Sequence, residues 1–99
     1  MWFWNNYPTH RGMLCYNLAN SKNEIDGALN KAMGLVAGRS DLTLYANSTA
    51  YFIEMKKPEG VQSELQKKFQ AVAEQHGYTY VICRSLDDFK NFIHYLKLV

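Results

Sequence analysis

Two apolar runs, Leu42-Thr43-Leu44-Tyr45 and Tyr51 to Lys56, flank a four-residue polar break, Ala46-Asn47-Ser48-Thr49. That pattern predicts a β-hairpin, entered through the turn Gly38-Arg39-Ser40-Asp41. Side chains alternate across a strand, so Phe52, Glu54 and Lys56 share one face while Ile53 and Met55 take the other. If the two strands run antiparallel, Asp41 at the start of the first lies near the end of the second.

The flanking segments supply the other elements. Met13 to Leu18 alternates as a strand and closes on Asn17, Asn20 and Ser21. Ile25, Ala28, Leu29, Ala32, Met33 and Val36 recur at helical spacing, predicting a helix over 24–37 that ends at or before Gly38. After a turn cluster at Lys57-Pro58-Glu59-Gly60, Ser63 and Gln66 form the S-x-x-Q capping box. The helix they open is expected to turn Leu65, Phe69, Val72 and Ala73 inward and to stop at Gly77, with His76 complementing its dipole. Tyr78 to Arg84 is a β-branched and aromatic strand. Ser85 caps a last helix with Leu86, Phe89, Phe92, Ile93 and Leu96 as its inner stripe. The aromatic run Trp2 to Tyr7 ends at Pro8 and is assigned to packing. The order strand, helix, hairpin, helix, strand, helix predicts an α/β fold. Its mixed central sheet is flanked by helices and contains a right-handed βαβ unit.

Composition narrows the class. The 99 residues make one domain, 47% hydrophobic and 14% aromatic, as in an ordinary globular chain. A net charge of +2 gives no bulk preference for nucleic acid, so any basic surface must be local. Cys15 and Cys83 stand far apart in apolar runs and read as buried free thiols in a reducing, intracellular compartment. No apolar run approaches the roughly 20 residues of a membrane span.

Asp41, Glu54 and Lys56 are the candidate chemistry. Two carboxylates suit Mg²⁺ or Mn²⁺, and a lysine beside them can orient water and offset charge on a phosphate. The competing reading is a surface hairpin edge on which Glu54 and Lys56 form an ion pair worth about 0–1 kcal/mol. Arg11, in the turn before Gly12, is a candidate phosphate contact.

With Asp41, Glu54-Met55-Lys56 and Gln66 in place, the chain resembles the PD-(D/E)XK (restriction-endonuclease-like) nucleases. It is most similar to small stand-alone VRR-NUC domains, the virus-type replication-repair nucleases. The likeness runs from about Tyr7 to Phe89. It rests on Lys31-Ala32-Met33-Gly34-Leu35, Gly38-Arg39-Ser40-Asp41-Leu42, Phe52-Ile53-Glu54-Met55-Lys56, Gly60-Val61-Gln62-Ser63, Gln66, Phe69, Gly77-Tyr78 and Val81.

The resemblance implies a nuclease dependent on Mg²⁺ or Mn²⁺ that acts on DNA. Asp41 and Glu54 would be metal ligands, the Met55 carbonyl a third, and Lys56 the catalytic lysine. Gln66 would face the site from the following helix, although the capping box offers it a rival role. From their placement close in sequence to the proposed active-site end, Arg11, Arg39, Lys57, Lys67 and Lys68 are expected to form a basic rim that contacts DNA. The competing reading is a solvated helix face. Branched DNA such as Holliday junctions, a homodimeric state and a phage or bacterial replication and repair setting are implied as well.

Two departures stand out. Ser40 occupies the usual place of proline, which loosens the turn but keeps the ligand. The family's acidic residue on a helix before the first strand has no counterpart ahead of Met13, so either the sequence is truncated or Glu24 or another group stands in. The alternative implied is an inert DNA-binding or assembly subunit that keeps the fold.

Overall fold

The computed structural model describes residues 1–17 and 40–98. The helix expected over 24–37, together with Arg39 and Glu24, lies outside the described residues. Within them the order is α1 (Trp2–Asn6), a 3₁₀ turn (Pro8–His10), β1 (Leu14–Tyr16), β2 (Leu42–Ala46), β3 (Thr49–Met55), α2 (Glu64–Gln75), β4 (Thr79–Cys83) and α3 (Leu86–Leu96). The strands form one mixed sheet in the order β1-β2-β3-β4. β1–β2 and β2–β3 are antiparallel, and β3–β4 is parallel across the α2 crossover.

The hairpin is tighter than the polar break suggested. Ala46 pairs with Thr49, leaving only Asn47 and Ser48 in the turn. Both take positive φ, 53° and 60°. Two consecutive left-handed residues make the connection whose twist matches that of the flanking strands. Asn47 Nδ2 donates to the Tyr51 hydroxyl at 3.0 Å.

Alternation sorts the sheet into two faces. Leu44, Ala46, Ile53 and Cys83 pack with Phe3, Phe89 and Ile93, so α1 and α3 cover one side. Ala50, Phe52 and Tyr80 pack with Ala73, and with Phe69 and Ile82 beside them, beneath α2. Glu54 continues the Phe52 row and therefore belongs to the α2 side.

The helix ends follow local chemistry. Ser63 and Gln66 satisfy each other's backbone amides at the start of α2. At its end Gly77 sits at φ 85°. Its N–H reaches the Glu74 carbonyl, and that of Tyr78 reaches Ala73 at 3.0 Å, a Schellman pair. Ser85 accepts from the Asp88 amide at 3.0 Å to open α3.

Three apolar positions correct the expected stripes. Leu65 and Val72 on α2 and Leu86 on α3 are exposed. The inward face of α2 is narrower, running through Phe69 and Ala73. Cys83 is buried as expected, Cys15 is half-buried, and both are free thiols. Among the described residues no helix is long and apolar enough to cross a membrane.

Candidate active site

The antiparallel register sets Leu42 opposite Ile53, which brings Asp41, one residue earlier, alongside Glu54. Asp41 Oδ2 accepts the Met55 backbone N–H at 2.9 Å. The approach to Asp41 is fastened from β1. The Asn17 N–H donates to the Asp41 carbonyl at 2.7 Å. Asn17 Nδ2 donates to the Ser40 carbonyl at 3.1 Å and to Thr43 Oγ1 at 2.7 Å. Ser40 is fully buried, and its hydroxyl donates to the Leu42 carbonyl at 3.0 Å. The loosening expected from serine in place of proline is therefore corrected, because the hydroxyl ties the turn that proline would stiffen.

Glu54 is only 1% exposed, on an interior strand of the sheet. The surface-edge reading is thereby excluded, since an edge carboxylate paired with Lys56 would be open to water. The ion pair found among the described residues joins Lys67 to Glu64 at 3.3 Å. Burial, with a side-chain hydrogen bond and like charge from Asp41, pushes the Glu54 carboxyl from 4.5 up to about 7. Lys56, half-buried two residues further on, opposes that rise. Its own N–H donates to the Cys83 carbonyl at 2.9 Å and extends the β3–β4 ladder past Met55.

A stability prediction follows from the raised value. In the unfolded chain Glu54 ionises near 4.5, whereas in the fold it keeps its proton to about pH 7. Between those values the native state holds the extra proton, so stability present below pH 4.5 is lost as pH rises through 7. At 1.36 kcal/mol per unit the loss is on the order of 3 kcal/mol. Urea unfolding at pH 5 and pH 8 without divalent cations should show this fall in the wild type, and Glu54→Gln should flatten it. Equal slopes in the two proteins would refute the assignment.

Several groups that sequence reasoning missed surround the pair. The Tyr80 hydroxyl donates to Glu54 Oε2 at 3.3 Å. Burial, with the neighbouring carboxylates, pushes Tyr80 up to about 12. Gln62 stands beside Tyr80, where it opposes that rise, and donates its Nε2 to Gln70 Oε1 at 2.9 Å. Arg84 Nη1 donates to the carbonyls of Lys57, Pro58 and Gly60, which clamps the turn that follows Lys56. The aromatic strand pattern hides Tyr80, and Arg84 stands in the sequence only as a strand end.

Other expected site residues are placed differently. Gln66 is a correction, for its Oε1 accepts the Ser63 N–H at 2.9 Å. Its acceptor is spent at the helix N-terminus, and Gln62 is the glutamine that stands beside Tyr80. Arg11 also moves away from the carboxylates. Tyr16 pairs with Leu42 at the Asp41 end, whereas Arg11 precedes the opposite end of β1. There its Nε donates to the Trp4 carbonyl at 3.0 Å, and its guanidinium lies over the Trp4 ring at 4.7 Å. Lys57, Lys67 and Lys68 are exposed on the turn and helix that follow Lys56.

The donor set suits a hard divalent cation. Among the described residues there is no cluster of three or more histidines, cysteines or carboxylates. Two adjoining carboxylates match a cation such as Mg²⁺, which keeps several waters and takes one or two protein carboxylates. The raised Glu54 value marks negative charge that a cation would relieve.

Comparison with known proteins adds independent observations. The family model for the VRR-NUC domain matches residues 9–87. The chain is also similar to a solved structure described as a VRR_NUC domain protein, with a TM-score of 0.68 and 24% identity, over 87% of this chain and 69% of the other. No curated protein matches.

Proposed function

Since the chain belongs to the VRR-NUC domain family and is of nuclease type, we propose that it hydrolyses DNA phosphodiester bonds with Mg²⁺ or Mn²⁺. The supporting observation is the carboxylate pair, half-buried Asp41 against buried Glu54, with Lys56 next along the same face. Asp41 and Glu54 are the proposed ligands, with the Met55 carbonyl as third. The bound cation would polarise the phosphoryl oxygen and acidify a water. Lys56 holds an ammonium beside the carboxylates, where it can orient that water and offset charge growing on the phosphate. Asp41 is held in place by the Met55 N–H, so its carboxylate needs no reorganisation to act. Lys57, Lys67 and Lys68, together with Arg39, are the proposed phosphate contacts. Branched DNA bound by a two-fold dimer is the proposed substrate and assembly, because such a dimer offers two sites to a symmetric junction.

A four-way junction, linear duplex and plasmid should be incubated with the protein in Mn²⁺ or in EDTA. Cleavage is expected only with Mn²⁺ and fastest on the junction. Light scattering on the same preparation should give the mass of two chains. DNA bound in Mn²⁺ without cleavage would identify an inert binding subunit instead.

A further inference from the structure

The carboxylate pair is joined to the crossover helix by a continuous string of polar side chains. Gln70, on α2, accepts from Gln62 at 2.9 Å. Gln62 stands beside Tyr80, on β4, and lowers its proton affinity, while Tyr80 donates to Glu54 Oε2 at 3.3 Å. Tyr80 has one hydroxyl hydrogen, and it points at Glu54. Gln62 keeps one amide hydrogen beyond its bond to Gln70, and can turn it toward the Tyr80 oxygen. Tyr80 is 7% exposed and Glu54 1%, so the contact between them is shielded from water. In such surroundings a hydrogen bond is stronger than in water, and its neighbours polarise it further.

From this geometry we infer that Tyr80, braced by Gln62, is a positioning residue that sets which oxygen of Glu54 is offered to the cation. The hydroxyl holds Oε2, so Oε1 is the proposed ligand atom. Outer partners of metal-binding carboxylates orient them, and losing one typically costs 10–100-fold in affinity. Because β4 lies beside β3 only through the parallel crossover, the string also makes the packing of α2 a condition of a well-aimed Glu54. The inference rests on the metal reading proposed above and names a determinant that this reading does not require.

The test is calorimetric Mn²⁺ titration of the DNA-free protein at pH 8 for the wild type, Tyr80→Phe, Gln62→Leu and the double variant. Tyr80→Phe keeps the ring under Phe69 and removes only the hydroxyl. It should weaken Mn²⁺ about 10–100-fold. Gln62→Leu should weaken it less. The double variant should bind as Tyr80→Phe does, because Gln62 acts only through the hydroxyl. A purely structural role would lower thermal stability with Mn²⁺ affinity unmoved, and that result overturns the inference, as do additive losses. If Tyr80→Phe lacks a cooperative unfolding transition, Gln62→Leu decides alone, and wild-type affinity there also overturns it. A wild-type protein that takes up no Mn²⁺ would instead overturn the metal reading and this inference together.

Discussion

Lys56→Ala is expected to lose on the order of 100-fold or more in cleavage rate, the cost of deleting one preorganised electrostatic group. Its affinity for Mn²⁺ should survive, because both carboxylates remain and Asp41 keeps its bond from the Met55 N–H. The ammonium also helps to ionise Glu54 by lowering its proton affinity. Its removal therefore pushes that carboxyl further up, and metal binding should be compared at pH 8.5, above the value of about 7 that the wild-type carboxyl takes. Cleavage rate on a junction and Mn²⁺ affinity should be measured on one preparation. Undiminished cleavage would remove Lys56 from the chemistry. Loss of Mn²⁺ binding at pH 8.5 would make the lysine a support of the ligands rather than a partner of the phosphate.

Asp41→Asn separates charge from shape. The amide oxygen can still accept the Met55 N–H, so the end of the hairpin should hold its geometry. What disappears is an anionic oxygen for a cation that gives up its water reluctantly. Mn²⁺ affinity and cleavage should therefore fall together, by at least the 10–100-fold that the loss of an outer partner costs. A second signature accompanies this loss. Asp41 raises the Glu54 carboxyl through like charge, so the substitution should shrink the fall in stability between pH 5 and pH 8. Asp41→Asn protein with wild-type Mn²⁺ affinity would show that the cation is held elsewhere.

The local devices were legible in the sequence because short-range sterics and hydrogen bonds set them. Ser63 and Gln66 lie three residues apart, and their capping box closes without help from the rest of the fold. Gly77 ends α2 because glycine tolerates the left-handed backbone that the reversal needs. The period of two assigned Glu54 and Lys56 to one face, and the polar break between the runs predicted a hairpin that brings Asp41 level with Glu54. The family resemblance extended this to a nuclease core, and the mixed sheet agrees with it.

Tertiary packing decided the rest. Whether Glu54 was a wet edge group or a buried acid depended on β4 closing against β3, where Glu54 pairs with Ile82 and the Tyr80 hydroxyl reaches it from 26 residues away. Periodicity carries no information about burial that a distant strand supplies. Glu54's raised proton affinity has the same origin, since desolvation comes from the whole surrounding fold. Gln62 and Gln66 look alike as sequence, but the first turn of α2 consumed one amide and left the other free to reach Tyr80. Leu65 and Val72 fit the helical stripe and are nonetheless exposed, because the sheet meets α2 along the narrower line of Phe69 and Ala73. Local sequence therefore determined the elements and the order of the carboxylates and lysine along them. The long-range pairing of β3 with β4 set their electrostatic state, because it makes β3 an interior strand and helps to exclude water from Glu54.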